Sequence, residues 1–183
     1  MEVLTFIVVI QSHAKGMGAN FARSWNEYKD GFGTIRQKNF WIGLEKMHNL
    51  TDSGLYGLQV AIKENDGVLR TVEYDSFRVS DEYDKYRLYL SGFRPGTSGL
   101  ADRLAYHNSR PFTTVDRDND EYGTNCAHNY GNSGWWYGAC YSSNLNHASG
   151  PTWTATSRYE LESKMTLIKS MLKSLNSKYY FQN

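Results

Sequence analysis

The hydrophobic pattern divides the chain into ordered segments at its ends and one long irregular stretch between them. Leu4–Ile10, LTFIVVI, is apolar apart from Thr5 and rich in β-branched residues, which predicts a buried strand. Ser24 with Glu27 three residues later forms a capping-box pattern, and Gly31 follows at helix-stop distance, so SWNEYKDGFG (24–33) predicts a short helix. NFWIGLEKMHNLT (39–51) predicts a second short helix that stops near Asn49. Over 56–79, Leu58, Val60 and Ile62 alternate, Asn65-Asp66-Gly67 supplies turn chemistry, and Val68, Thr71 and Val72 resume the strand, so a β-hairpin is expected. KYRLYLSGF (85–93) alternates again. YELESKMTL (159–167) places Tyr159, Leu161, Met165 and Leu167 on one face of a further strand. The Lys-rich tail, 168–183, is compatible with a helix or a frayed end.

Residues 94–152 are dense in Gly, Asn, Ser, Asp and aromatic residues and lack periodicity. So long a loop region inside a compact domain points to function, to staples, or to both. Trp135, Trp136 and Tyr137 stand in a row, and on an extended segment successive side chains alternate. They are therefore not all expected in the core: either some form a wall or floor of a pocket, or two are core and the third is a capped loop residue.

The 183 residues suit one ordinary domain. Twenty Lys and Arg against nineteen Asp and Glu give a net charge of +1, which offers no electrostatic basis for binding nucleic acid. No apolar run approaches the ~20 residues that span a bilayer, so membrane insertion is not expected. The N-terminal apolar run has Glu2 where a signal peptide carries positive charge, and reads as a strand rather than a leader. Aromatic residues reach 15%, including 14 Tyr, and supply large rigid faces with polar tips.

The two cysteines, Cys126 and Cys140, bracket a Gly-rich loop. They are either unrelated thiols or a disulfide, and the entropy of ordering that loop favours the disulfide, which in turn implies an oxidising compartment. Two cysteines without a nearby histidine pair do not make a structural zinc site. Just before them, DRDNDE packs Asp116, Asp118, Asp120 and Glu121 into six residues. The run is either a solvated acidic turn or a site for a hard cation, with Ca²⁺ preferred over Mg²⁺. It is not an EF-hand, because Glu121 and Ala127 occupy the positions that need Gly and Glu.

The stretches NFARSWNEYKDGFG, FWIGLEKMHNLT, LQVAIKENDG, EYDSFRV, DKYRLYLSGF, LAYHNSRPFTTVDRDND, NCA, GWWYGAC and SNLN occur in an order that resembles the fibrinogen C-terminal globular domain, over roughly residues 5–168. The resemblance implies an α+β fold, a twisted antiparallel sheet with short helices and a loop-rich calcium-binding subdomain near 94–152, within one domain over 1–170 and a polar tail over 171–183. It implies a Ca²⁺ site with side-chain ligands Asp118 and Asp120, carbonyl ligands Tyr122 and Thr124, and Asp116 in the outer shell. It also implies the Cys126–Cys140 disulfide and, as in lectin-type members, a cis bond at Ala139–Cys140. Family domains normally begin earlier, so the chain reads as a fragment, an incomplete gene product or a trimmed relative. Oligomers in the family form through segments outside this domain.

The resemblance implies secretion and recognition of acetylated glycans, with a protein-binding role as the alternative. The ligand pocket would involve Tyr130, the backbone of Ala139 and Cys140, and Tyr141, which stands where the family commonly has histidine. The connection after SNLN is short and lacks the expected tyrosine, and His147 either intrudes into the pocket or, the preferred reading, is a loop histidine. No HExxH, GxSxG or phosphate-binding glycine loop supports an enzyme, and His107 reads as a structural, hydrogen-bonded residue. Asn49 opens an Asn-Leu-Thr glycosylation sequon.

Overall fold

A computed structural model describes residues 3–17, 20–53, 56–96, 99–153 and 159–172. Strand β1 (Val3–Ala14) leads to helix α1 (Trp25–Asp30), strands β2 (Phe32–Thr34) and β3 (Asn39–Trp41), and helix α2 (Leu44–Thr51). The hairpin β4 (Gly57–Lys63) and β5 (Leu69–Val79) follows, then β6 (Leu88–Arg94), and β7 (Glu162–Leu172) closes the fold. All seven strands form one antiparallel sheet in the order β2-β3-β1-β7-β4-β5-β6.

The first strand forms, but the expectation that it is buried over 4–10 is corrected: Phe6 and Ile7 are exposed, and burial starts at Ile10 and continues into the polar residues that follow. The β1–β7 register shifts between Val9 and Gln11, so Ile10 and Gln11 both turn inward and both are fully buried. A glutamine in a core must have its amide satisfied. Gln11 Nε2 donates to the Leu145 carbonyl at 3.0 Å and to Ser163 Oγ at 3.0 Å. Two residues on, buried His13 donates from Nδ1 to the same Leu145 carbonyl at 2.9 Å. Polar residues of β1 thereby fasten the irregular segment to the sheet.

Helix α1 forms where the capping box places it: Ser24 Oγ accepts from Glu27 N, and Glu27 Oε2 accepts from Ser24 N at 2.9 Å. Gly31 ends it with φ of 97°, and a β-carbon there would stand 2.4 Å from the Ile42 carbonyl oxygen. Replacing Ser24 with alanine should lower stability by about 1 kcal/mol, read as a shift of the urea midpoint with an unchanged slope.

The expected helix over 39–51 is corrected to a strand followed by a helix. Asn39–Trp41 pairs with β1 and β2, and Gly43, at φ of 109°, precedes the helix. The apolar residues Phe40 and Trp41 serve a strand lying between β2 and β1, with Ile42 just after it, rather than the first turn of α2. The last strand likewise begins at Glu162, so Tyr159 and Leu161 lie outside the strand face assigned to them. β7 continues to Leu172, which makes the start of the expected tail a strand, and 173–183 lie outside the described residues.

Trp135, Trp136 and Tyr137 correct the expectation of an alternating, partly exposed triplet: all three are fully buried. This segment is not a surface strand with one wet side. Trp136 packs against Trp41, Phe77 and Phe112 at ring-centroid distances of 6.0, 6.4 and 5.2 Å. Trp135 turns toward His107 at 5.9 Å, and Tyr137 donates its hydroxyl to the Ser133 carbonyl at 3.0 Å. Other segments pack on both sides of the triplet. Gly134, just before it, lets Tyr28 and Phe112 approach to where a β-carbon would sit, at 2.6 and 2.7 Å.

Candidate functional site

The acidic run is sorted by its hydrogen bonds. Asp116 is a structural residue: its Oδ1 accepts from Trp25 N at 2.9 Å and from Thr114 Oγ1 at 2.7 Å, which ties the loop to the first turn of α1. Arg117 lies over the Trp25 ring at 4.3 Å. Asn119 is held by the Phe112 carbonyl, to which its side-chain amide donates at 2.8 Å. Glu121 pairs with Arg110. Two carboxylates remain, Asp118 and Asp120, and neither forms an ion pair among the described residues.

Asp120 is central to the loop. Its Oδ1 accepts from Tyr122 N at 2.9 Å and its Oδ2 from Cys126 N at 2.9 Å, so it spans from the loop to the disulfide. Burial, with the negative charge of Asp118 adding to it, pushes the Asp120 carboxyl above the usual carboxylate range. Each Asp120 oxygen retains lone-pair capacity beyond its backbone bond. The available donors are therefore all oxygen, two of them carboxylates without a protein cation, as a hard divalent ion requires. Among the described residues no three His, Cys, Asp or Glu side chains converge on one point, so further ligands would have to be carbonyls and water. Asp118 and Asp120 are thus oxygen donors of the kind calcium takes.

The disulfide joins Cys126 and Cys140 with their Cα atoms 5.2 Å apart. A closed loop of about 15 residues contributes roughly 3 kcal/mol in the chain-entropy account. Cys126 leads into a single turn of π-helix, Ala127–Gly131, which carries Tyr130. Tyr130 is 49% exposed, Tyr122 is 45% exposed, and their rings meet edge to face at 6.1 Å. This tyrosine pair stands on the loop that also holds Asp118 and Asp120. Spacing alone gave no sign of the Tyr122 partner, because nothing in it marks the π-turn that brings the two rings together.

Around the second cysteine two expectations are corrected. Ala139–Cys140 is trans, since the described residues contain no cis peptide bond. Cys140 instead turns the backbone through a left-handed φ of 73°, and its carbonyl accepts from Gly138 N at 3.0 Å. Gly138 and Cys140 thus pair as an isolated bridge, and the Ala139 N–H between them has no hydrogen-bond partner among the described residues. His147 lies in the loop but is not merely a loop residue: it intrudes and is buried, with its ring 6.2 Å from Tyr141 and 4.8 Å from Tyr159. The short connection therefore carries an imidazole into the space beside Tyr141, and Tyr159, from beyond that connection, covers it.

His107 holds this region in register. Its Nδ1 donates to the Trp136 carbonyl at 2.7 Å, while Nε2 accepts from Ser142 N at 3.3 Å and Ser143 N at 3.1 Å. That set of partners requires the neutral ring, and burial lowers its pKa to about 4. The structural reading of His107 holds. Asn49 is exposed on α2, while Thr51 of its sequon is buried, donating to the Met47 carbonyl at 2.7 Å.

A family profile described as fibrinogen beta and gamma chains, C-terminal globular domain, matches residues 5–164. The chain is 38% identical to Ficolin-3 of Homo sapiens over 155 residues, covering 85% of this chain and 50% of that protein. It is 43% identical to Fibrinogen-like protein A of Apostichopus parvimensis over 129 residues, covering 69% of this chain and 44% of that protein. The chain thus spans about half the length of these curated relatives. Among solved structures it is similar to the fibrinogen-like globe domain of human ANGPTL2, with TM-score 0.80, 36% identity and coverage of 89% of this chain and 79% of that one. It is also similar to a lamprey fibrin D-dimer complexed with the peptide ligand Gly-His-Arg-Pro-amide, with TM-score 0.75, 27% identity and coverage of 96% and 65%.

Proposed function

Since the protein belongs to the fibrinogen family of C-terminal globular domains, typified by the beta and gamma chains, we propose that it is a non-enzymatic extracellular recognition module whose binding face is the loop bearing Tyr122 and Tyr130, stabilised by calcium. The observation that carries this reading is the pair of carboxylates, Asp118 and Asp120, left without a cationic partner on the loop that joins those tyrosines to the Cys126–Cys140 disulfide. Calcium would supply the missing positive charge and fix the carbonyls of Tyr122 and Thr124. The ligand is a protein or peptide. Support comes from His147, which takes up the space beside Tyr141, and from a related structure solved with a peptide ligand. Tyrosines suit such a face because they offer rigid contact area with a hydroxyl at the tip.

A second reading, recognition of acetylated glycans, is favoured by the free N–H of Ala139, next to the cysteine whose disulfide partner leads into the turn bearing the exposed Tyr130. That group would donate to an acetyl carbonyl while the ring stacks on a methyl or sugar face.

At calcium a hundredfold above its dissociation constant, linkage adds about 2.7 kcal/mol to the folded state. The melting temperature should then rise by about 5–10 °C over chelator-treated protein. D118N/D120N should abolish that rise. Identical melts with calcium and with chelator would refute the metal site. Calcium-dependent retention on an N-acetylglucosamine resin, released by free sugar, would select the glycan reading. Retention on Gly-His-Arg-Pro-amide that sugar fails to compete would select the peptide.

A further inference from the structure

The face of the sheet turned away from the core carries a trough of about 550 Å³ to which none of residues 94–152 contributes. Its floor is low because Ser12 of β1 and Ala61 of β4, both small, flank Lys164 of β7 in register. One wall is the 3₁₀ turn Ile35–Gln37 with Lys38 after it, and the other is the hairpin tip and Leu69. The walls face water with aliphatic side chains: Ile35 is 55% exposed and Leu69 is 64% exposed.

Three lysines, Lys38, Lys63 and Lys164, line this trough against one acid, Glu162. Glu162 is engaged by Lys38 at 2.8 Å. Lys63 and Lys164 form no ion pair among the described residues. The trough therefore presents uncompensated positive charge between two aliphatic walls. A sulfated sugar or nucleic acid would satisfy the charge and leave Ile35 and Leu69 bare. A fatty acid would want an enclosed apolar cavity, which an open trough does not provide. We propose that this trough is a second binding site, for a short extended peptide segment in which acidic side chains alternate with aliphatic ones. The carboxylates would meet Lys63 and Lys164, and the aliphatic groups would cover Ile35 and Leu69.

The test is fluorescence anisotropy with a fluorescein-labelled alternating aspartate–leucine peptide on the full chain. Binding should weaken with added salt and persist unchanged in chelator and in D118N/D120N, which separates this site from the calcium-dependent face. K63E/K164E should weaken it at least about tenfold, as reversing two surface charges requires, with an unaltered melting temperature. If that variant is unstable, K63Q/K164Q serves, with a loss of roughly threefold or more. I35S should weaken binding while leaving its salt dependence in place. The proposal is overturned if the peptide shows no saturable binding, if the lysine variants bind it as the parent does, or if an alternating aspartate–serine peptide or a heparin oligosaccharide binds more tightly.

Discussion

Between pH 6.5 and pH 4 the domain should lose on the order of 6 kcal/mol of stability through two histidines, His13 and His107. Each is buried and neutral, and burial lowers each pKa from 6.5 to about 4. The backbone bonds to Leu145 and Trp136 oppose the shift without cancelling it. Above pH 6.5 neither the folded nor the unfolded protein holds the extra proton, so stability is complete. Below it the unfolded state takes up a proton that the fold refuses, and the loss grows until about pH 4, where the folded form accepts it too. One pKa unit is worth about 1.4 kcal/mol, which gives roughly 3 kcal/mol for each ring. Against a typical total of about 5–15 kcal/mol this loss decides whether the domain stays folded in mild acid. Urea midpoints at intervals from pH 7.5 to pH 4.5 measure it. His107→Gln should flatten the slope by one proton while lowering stability at neutral pH. A stability that stays level down to pH 5 would contradict the assignment. His107 also holds Ser142 and Ser143, just after Cys140, so the same acid step loosens the region next to the binding face.

Trp136→Ala should cost about 4–5 kcal/mol. The side chain is fully buried at the meeting point of the sheet and the irregular segment, in ring contact with Trp41, Phe77, Phe112 and Trp135. Its indole N–H donates to the Tyr86 carbonyl at 2.8 Å, so truncation leaves a cavity and strands a buried acceptor. Trp136→Phe should cost less, because it retains much of the packing and loses the hydrogen bond. Tyr130→Ala is the contrasting case. Its ring is half exposed, so stability should change by less than about 0.5 kcal/mol while ligand binding falls. A Trp136→Ala protein that unfolds at the parental denaturant concentration would refute the central role given to that ring.

The parts of this architecture written in local pattern were legible in the sequence. The Ser24–Glu27 capping box, the hairpin around Asn65–Gly67 and the alternation of β4 and β5 are short-range signals, and each formed where it stood. The cysteine pair was legible too, from the loop it brackets. What failed depended on contacts remote in sequence. Phe40–Trp41 became a strand because β1 lies beside them. The Trp135–Tyr137 triplet was buried because other segments pack on both of its sides, which a strand-periodicity rule does not foresee. At the site, the count of acids pointed to a cation but could not say that Asp116 caps α1 or that Glu121 answers Arg110. Nor could spacing tell that His147 folds inward onto Tyr141, since that depends on Tyr159 arriving from beyond the connection.

The central place of β7 has a consequence for synthesis. Of the described strands it is the last to leave the ribosome, and among them it alone joins β1 to β4. Until it emerges, the nascent polypeptide holds two separate ribbons whose inner edges are bare and ready to pair with a neighbour. A message cut short between Arg94 and Glu162 would thus yield an adhesive pair of half-sheets, sent to chaperones or degradation, rather than a smaller working domain.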